Sequence, residues 1–337
     1  MEKYSRWSDL TTGINPFVPP PHQLPANVVL RWMQILLGSI VALLRWVLLL
    51  PLLLLLALVN LLSLILSSIP LLGRFFRRTT EWLVVGLILA VATVFIKDED
   101  ANARRLGLLT PGAKPPTLSG IKTGDVIVCN HTSVFDILYL AYRYSPTFAF
   151  PSDSSKGLVQ TFGLFQALMQ ALSPPLSTLS NPLKLQQVLA NASGPVVVFP
   201  EGTRSNGKSV LSFLPVLEDL PKTTRIHIVA IRFDFKAISP THTCGSGLWH
   251  LCRLFSHVYH TMKVTTLRAE FLAASTTTVP AILAAMLRTK CVDLSCQDFV
   301  SFNQYWAHVN GGGRQPASAF TTRKAPHEHA QWSAKST

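Results

Sequence analysis

Apolar residues are concentrated in the first third of the chain, in two runs of different length. The run 35–69 contains a single charged residue, Arg45, and the run 82–96 contains none. An α-helix needs about 20 apolar residues to cross a bilayer. The first run is too long for one upright helix and too short for two, and the second is too short for one. We therefore predict that residues 28–96 form an apolar helical membrane anchor.

Several arrangements of this anchor fit the sequence. Pro51 lies inside the first run, where it would kink a helix. One arrangement is a single span, Trp46–Leu66, preceded by an interfacial helix from which Arg45 reaches the headgroups. Another is a helical hairpin that enters the bilayer and returns. We predict that the second run, Trp82–Ile96, inserts shallowly from one side, with its tryptophan at the interface. Two ordinary transmembrane helices remain the alternative.

From residue 120 onward the pattern changes to short apolar strands that alternate with helical stretches. The predicted strands are Asp125–Val128, Pro195–Phe199, Ile226–Phe235 and His260–Phe271. The predicted helices lie near Ser133–Tyr144, Leu158–Leu172, Pro182–Ala192 and Ala281–Leu287. This alternation predicts an α/β fold class, a mixed sheet covered by helices, for a domain that spans residues 120–306.

The other segments are polar. Residues 1–27 carry five prolines and few apolar side chains, so we predict a disordered tail there. Residues 97–119 are predicted to form a linker. Residues 307–337 are predicted to form a disordered basic tail.

Composition and charge narrow the choice of partners. Hydrophobic residues make up 48% of the chain and charged residues 14%, which is typical of a membrane-associated protein. The formal net charge is +13, and no nucleic-acid-binding motif accompanies it. We therefore predict contact with anionic lipid or a phosphorylated substrate rather than with nucleic acid. The five cysteines form no C-x-x-C pair, which favours free thiols in a reducing compartment.

The first candidate motif, "VCNHTSVFD", occupies residues 128–136 at the end of a predicted strand. Ser133 is a good N-cap for the helix that follows, and Asp136 falls at its N3 position. The loop could fold His131 back over the first helical turn, so that Asp136 accepts the Nδ1 proton and leaves Nε2 basic. The alternative is a plain capping box with His131 as a turn residue.

A histidine–carboxylate pair without a nucleophile suits one kind of chemistry. An activated donor such as a thioester needs a base that deprotonates the acceptor hydroxyl, and donors that stabilise the developing oxyanion. The backbone N–H groups of Thr132 and Ser133, at the start of the helix, are the predicted oxyanion donors.

The second candidate motif, "FPEGTRSN", occupies residues 199–206, directly after another predicted strand. Gly202 lets the backbone approach a ligand, Thr203 can donate a hydrogen bond, and Arg204 offers a planar fork of donors that suits phosphate. Glu201 could orient Arg204 or a substrate hydroxyl. The alternative is a polar turn with a surface ion pair.

Together, "NHTSVFD" and "FPEGTRS" resemble the two motifs of the PlsC-like glycerolipid acyltransferases of the 1-acylglycerol-3-phosphate type. The resemblance covers about residues 120–270 and the apolar anchor. It implies that His131 is the catalytic base and that Asp136 supports it. It also implies that Glu201, Gly202, Thr203 and Arg204 bind the lysophospholipid acceptor, with acyl-CoA as co-substrate and no metal or other cofactor.

The chain departs from the family pattern between the two motifs. The family often has an arginine there that helps to hold the phosphate. After Gly163 this chain has no arginine before Arg204, and Lys184 is the one basic residue in between. The proline of the later strand motif is also absent from "IHIVAIRFD" at residues 226–234. These departures concern the acceptor headgroup more than the chemistry.

The resemblance implies acyl transfer from acyl-CoA to the free hydroxyl of lysophosphatidic acid, giving phosphatidic acid. Another lysophospholipid such as lysophosphatidylcholine, or glycerol 3-phosphate, is the alternative acceptor. A non-catalytic membrane-binding protein that retains the fold is the alternative of another class. The resemblance is greatest to fungal enzymes of the endoplasmic reticulum and lipid droplets, which implies one of those membranes and a catalytic domain that faces the cytosol.

Overall fold

The centre of the computed structural model is a mixed sheet of eight strands within the part of the chain that it describes. The described residues are 2–312 without 24, 67–69, 110, 111, 113–115, 153–156, 177, 236 and 273–276. The strands are β1 Val94–Asp100, β2 Val126–Cys129, β3 Thr147–Pro151, β4 Leu158–Phe162, β5 Leu183–Lys184, β6 Val196–Val198, β7 Ser209–Val210, β8 Ile226–Asp234, β9 His260–Leu267 and β10 Lys290–Cys291. The sheet order is β1-β9-β8-β2-β6-β3-β4-β5, and β7 pairs separately with β10.

The middle of the sheet is parallel and buried on both faces. Strands β8, β2, β6 and β3 run in the same direction, whereas β9, β4 and β5 form antiparallel pairs. Alternate residues of a strand point to opposite faces. Ile127 and Cys129 accordingly lie in one apolar cluster, and Val126 and Val128 lie in another. The predicted fold class, a mixed sheet covered by helices, is confirmed.

Helices cover both faces of this sheet. They are α1 Val28–Leu66, α2 Pro70–Val91, α3 Val134–Tyr144, α4 Leu164–Leu172, α5 Leu185–Asn191, α6 Gly247–Ser256, α7 Ala269–Leu272, α8 Val279–Leu287 and α9 Cys296–Gly311. The core on one face is built with α1, α2, α3, α4 and α6, and the core on the other with α5 and α8. The sequence predicted α3, α8, β2, β6, β8 and β9, but it assigned β4 to a helix and missed β1 and β3.

Residues 35–66 of the first apolar run lie in one continuous helix. α1 extends through Pro51, so the helical hairpin is wrong. It is also the one described helix that is long and apolar enough to cross a membrane. Leu49 and Leu56 are nevertheless fully buried against the α/β domain, and each contributes roughly 1.5–3 kcal/mol by leaving water. The remaining faces of α1 are largely exposed apolar surface.

The sequence suggested that Arg45 reaches out of α1 towards the lipid headgroups, and the structure shows a different contact. Its guanidinium donates hydrogen bonds to the backbone carbonyls of Phe255, His257 and Val258, at the end of α6, and to Thr93 Oγ1. The side chain is buried. Carbonyls at a helix C-terminus need donors, and the arginine fork supplies several at once. Arg45 therefore attaches α1 to the α/β domain.

One face of the second apolar run belongs to the core of the domain. Val85 and Ile88 of α2 are buried against α3 and the sheet. The run continues into β1, which pairs in parallel with β9, so the linker assignment of residues 97–100 is wrong. On the other face of α2, Trp82 and Leu83 are exposed, and the shallow insertion of 82–96 stays a prediction.

Both predicted tails also differ from the structure. Residues 2–7 form a 3-10 helix, and Trp7 and Phe17 are buried against Phe299 and Phe302 of α9. Trp7 Nε1 donates to Ser301 Oγ at 2.8 Å. The predicted disorder of residues 1–27 is thus wrong for the described part. At the other end, α9 continues to Gly311, past the predicted boundary at 306. Residues 313–337 of the predicted basic tail lie outside the described residues.

Replacing Arg45 should detach α1 from the domain. We expect Arg45→Ala to reduce the free energy of unfolding by about 3 kcal/mol, because the carbonyls of Phe255 and His257 lose this donor and the packing of the buried side chain is lost. Leu44→Ala, on the exposed face of the same helix, is the matched control and should change it by less than about 0.5 kcal/mol. Thermal unfolding of both variants in detergent measures this, and equal stabilities would contradict the attachment.

Candidate active site

The first motif lies at the carboxyl end of β2, where the chain turns into α3. Asn130 holds the start of the turn against β8. Its Nδ2 donates to Ile231 O and its Oδ1 accepts from Ile231 N, both at 2.9 Å. The Asn130 side chain thus continues the hydrogen bonding between β2 and β8 beyond Cys129, where the strand pairing ends. His131 follows at once, so its backbone position is determined by the sheet itself.

Asp136 organises the loop that carries His131. Its Oδ2 accepts hydrogen bonds from Thr132 N at 2.6 Å, Ser133 N at 2.8 Å and Thr132 Oγ1 at 3.2 Å. Ser133 is the N-cap of α3 and forms the predicted capping box with Asp136. Because both backbone N–H groups already bind this carboxylate, they are not available to an oxyanion. The expectation that Thr132 and Ser133 are the oxyanion donors is therefore wrong.

The imidazole of His131 lies beside the same carboxylate. Its Nδ1 is 3.6 Å from Asp136 Oδ2, which is close enough for electrostatic attraction but longer than a hydrogen bond. The ring packs on Phe199, with 4.6 Å between ring centroids. Burial lowers the pKa of His131; Asp136 opposes that shift and Arg204 adds to it. A neutral, basic imidazole at neutral pH follows.

The two motifs meet through backbone hydrogen bonds. Ser205 N, in the second motif, donates to His131 O at 3.1 Å. Arg204 therefore directly precedes a residue that is bonded to the candidate base. Its buried guanidinium donates to Ala171 O, at the carboxyl end of α4. Burial lowers the pKa of Arg204 to about 10, so the side chain stays charged at neutral pH.

Gly202 and Thr203 contribute in different ways. Gly202 has φ +66°, and a Cβ atom there would lie 2.6 Å from a side-chain carbon of Leu214. Glycine is therefore required by backbone conformation and by packing. Thr203 Oγ1 is buried and has no hydrogen-bond partner among the described residues. Buried hydroxyls are normally paired, so this atom can serve a ligand.

Glu201 faces the interior of its own loop. Its Oε2 accepts a hydrogen bond from Leu211 N at 3.0 Å, and the side chain is buried. Burial raises the pKa of Glu201 to about 8. This bond joins the two ends of a loop of about ten residues that carries Gly202, Thr203 and Arg204. The structure thus gives Glu201 a contact that stabilises the loop rather than the predicted contact with Arg204.

A small cavity lies between the two motifs. It measures about 20 Å³, and it is lined by the side chains of both motifs and of the segment that follows α4. The lining residues include His131, Thr203, Arg204, Phe150 and Ser173. A cavity of this size holds about one water molecule. The predicted residues His131, Thr203 and Arg204 are therefore brought together, in a site that must widen before a lipid can enter.

Sequence reasoning missed a third segment of the site. His242, in the loop after β8, donates its backbone N–H to Thr132 O at 2.9 Å. Its ring is buried and stacks on His250, with 4.7 Å between centroids. The loop 239–246, "SPTHTCGS", matches no familiar motif. The one signal in the sequence is that His242 comes eight residues before a second histidine, His250, in the segment after a predicted strand.

Comparisons with known proteins find similarity to acyltransferases. A family model described as Acyltransferase matches residues 113–233. A Schizosaccharomyces pombe protein, provisionally named lysophosphatidic acid:oleoyl-CoA acyltransferase, is 27% identical over 69% of this chain and 73% of its own length. The Arabidopsis thaliana lysophospholipid acyltransferase LPEAT1 is 26% identical over 48% of this chain and 42% of its own length.

One solved structure is also similar. It is the crystal structure of the 1-acyl-sn-glycerophosphate acyltransferase PlsC from Thermotoga maritima. The two chains share 15% sequence identity with a TM-score of 0.42, over 76% of this chain and 95% of that one.

The matched family model covers both motifs and the strands that carry them. The resemblance to the acyltransferases is therefore confirmed over residues 113–233, and these matches support O-acyltransferase activity. The match ends at residue 233, so β9, α8, α9 and the His242 loop lie outside it.

The buried carboxyl of Glu201 should make stability depend on pH. Its pKa in the folded chain lies above the usual 4.5, so its contribution is fully present below that value and is lost as the pH rises through about 8. We expect wild type to lose about 2 kcal/mol between about pH 6 and pH 8 relative to Glu201→Gln, which cannot ionise. Thermal unfolding over this range measures the difference. Parallel curves for the two proteins would contradict a raised pKa.

Proposed function

We propose that the protein transfers an acyl chain from acyl-CoA to the free hydroxyl of a lysophospholipid, with lysophosphatidic acid as acceptor and phosphatidic acid as product. The observation that carries this proposal is the meeting of His131, with its carboxylate neighbour, and Arg204 at one cavity. A base suits the hydroxyl, and a buried guanidinium suits the acceptor's phosphate. The names of the fungal and plant relatives point to the same reaction class.

In the proposed reaction His131 removes the proton of the acceptor hydroxyl as its oxygen attacks the thioester carbonyl. The new ester bond forms, the carbon–sulfur bond breaks, and CoA leaves as a thiolate that can take the proton back from His131. Asp136 stabilises the imidazolium from 3.6 Å and keeps the loop in place. A covalent enzyme intermediate is unnecessary because the thioester is already activated.

The second motif is proposed to hold the acceptor. Arg204 binds the phosphate, Thr203 Oγ1 donates or accepts one hydrogen bond, and Gly202 lets the backbone approach. Glu201 supports them by bonding Leu211 N. Substrate entry requires the segment after α4, which forms one wall of the cavity, to move away from His131.

Another lysophospholipid is the second candidate acceptor. The plant relative is named for lysophospholipids as a class rather than for one headgroup. Lys184 does not take the place of the arginine that the family often has between the motifs. Its side chain is exposed, and its Nζ lies 3.6 Å from Asp219 Oδ2. Headgroup choice therefore depends on residues other than the family's usual ones.

We further propose that the protein lies on one side of its membrane. Residues 2–18 and α2 pack on the same domain, although α1 separates them in the sequence. If α1 crossed the bilayer once, these two segments would lie on opposite sides of it. The exposed apolar faces of α1 would instead lie in the interface, as in a monotopic protein. The five free cysteines favour the cytosolic side, at the endoplasmic reticulum or lipid droplets.

His131→Ala should abolish most acyl transfer. We expect kcat per folded enzyme to fall by about 10²–10⁴-fold with lysophosphatidic acid and acyl-CoA, because a general base contributes that much. In wild type, activity should rise with pH through an apparent pKa below 6.5, since burial lowers the pKa of His131.

The matched control is His227→Gln. His227 is also buried beside a carboxylate, with its Nε2 3.1 Å from Asp125 Oδ2, but at the opposite end of β2. Its kcat should stay within about tenfold of wild type. Full activity of His131→Ala, with purified protein and a defined acceptor, would refute the proposed base. Absence of acyl transfer by wild type would instead favour a non-catalytic membrane-binding role.

Both chain termini should lie on the same side of the membrane. With one epitope tag at each end, protease added to sealed microsomes is expected to remove both tags without detergent, while a luminal marker stays intact. Protection of one tag alone would show that α1 crosses the bilayer.

A further inference from the structure

A buried polar atom beside the candidate base has no role in the reaction proposed so far. His242 is 4% exposed, and its Nε2 has no hydrogen-bond partner among the described residues. Oγ1 of the neighbouring Thr243 is also buried and has no hydrogen-bond partner within the part of the chain that the structure describes. Buried polar atoms are nearly always paired, so such a cluster marks a place where a ligand supplies the missing bonds.

Backbone hydrogen bonds fix His242 next to both motifs. His131 O accepts from Ser205 N, and the next carbonyl, Thr132 O, accepts from His242 N. The residue before Ser205 is Arg204, so the histidine and the guanidinium flank the same short stretch of the first motif. The charge of Arg204 acts on the His242 ring and lowers its pKa. The imidazole is therefore in the electrostatic reach of the proposed phosphate site.

Arg204 shows what kind of atom this site attracts. Its guanidinium donates to the carbonyl oxygen of Ala171 at the end of α4, where the helix dipole leaves partial negative charge. This carbonyl holds the position that a phosphate oxygen could take. A phosphate that displaced it would meet one cationic fork, and a second donor nearby would complete the binding.

We propose that His242 is a second phosphate-binding residue, which with Arg204 makes the site select an acceptor whose phosphate is a monoester. The inference rests on the proposed function and adds to it the basis of headgroup choice. It also supplies a partner for the phosphate in a chain that lacks the family's arginine between Gly163 and Arg204.

The chemistry of the imidazole explains the preference for a monoester. A phosphate monoester has a second ionisation near pH 6, so it can either carry a proton or release it at neutral pH. A neutral imidazole can accept a hydrogen bond from the protonated oxygen or take the proton and donate it back. A diester such as the phosphate of lysophosphatidylcholine has no such proton. Burial and the charge of Arg204 lower the pKa of His242 to about 3, so the ring stays neutral until a dianion arrives.

The test compares His242→Leu, His242→Gln and His250→Leu with wild type. Leucine fills the volume without a polar atom, and glutamine keeps a donor near the position of Nε2. His250→Leu removes the other ring of the stacked pair, so it also abolishes the stacking, and it is the matched control. Each protein is assayed for KM and kcat with lysophosphatidic acid. Inhibition constants are measured for sn-glycerol 3-phosphate, a monoester, and sn-glycero-3-phosphocholine, a diester.

We expect wild type to bind the monoester more tightly than the diester. His242→Leu should raise the KM for lysophosphatidic acid and the inhibition constant of the monoester by about 10- to 100-fold, and leave that of the diester within about twofold. His242→Gln should show a smaller loss than leucine, and His250→Leu should keep the preference for the monoester.

Three results would overturn the inference. They are equal effects of His242→Leu on monoester and diester, a fall in kcat without a change in either inhibition constant, and a wild type that does not distinguish the two inhibitors. If leucine prevents folding, a glutamine variant with wild-type inhibition constants for both compounds also overturns it. Failure of the proposed function is a separate result, in which wild type acylates no lysophospholipid at all.

Discussion

One carboxylate oxygen determines the shape of the loop that carries the candidate base. Oδ2 of Asp136 accepts three hydrogen bonds from Thr132 and Ser133, and all of its donors lie within four residues. A buried carboxylate is stable only when donors compensate its lost hydration. The loop therefore cannot open without leaving a buried charge unpaired. His131 is held at one end of this arrangement, close to the same oxygen.

The site extends from that loop across the ends of three neighbouring parallel strands. Strands β6, β2 and β8 are adjacent, and the segment that follows each of them contributes one part. The carboxyl ends of parallel strands meet at one edge of a sheet, where binding sites commonly form. The carbonyls of His131 and Thr132 accept from the segments on either side. The loop of the candidate base is thus joined by main-chain bonds to His242 and to Ser205, which follows Arg204, and side-chain substitutions leave these bonds intact.

The sequence predicted the parts of the site that are local and missed those that depend on tertiary contacts. His131 and Asp136 lie within six residues of each other, and turn and capping rules suffice to pair them. Apolar composition alone did not show that one face of α2 packs on the sheet, where Val85 and Ile88 are buried. Trp7 follows no periodic pattern, and its partner Ser301 is 294 residues away. His242 belongs to no motif, and only the folded chain brings it to Thr132.

The contact between Trp7 and α9 has a consequence for how the chain is made. Its two sides are synthesised at opposite ends of translation, so the N-terminal segment must wait for almost the whole chain before it can dock. During this interval α1 has left the ribosome, while α6, to which Arg45 binds, does not yet exist. An exposed helix of this composition would aggregate in water. The interfacial position proposed for α1 would give this helix an apolar environment during that interval, before the α/β domain folds against it.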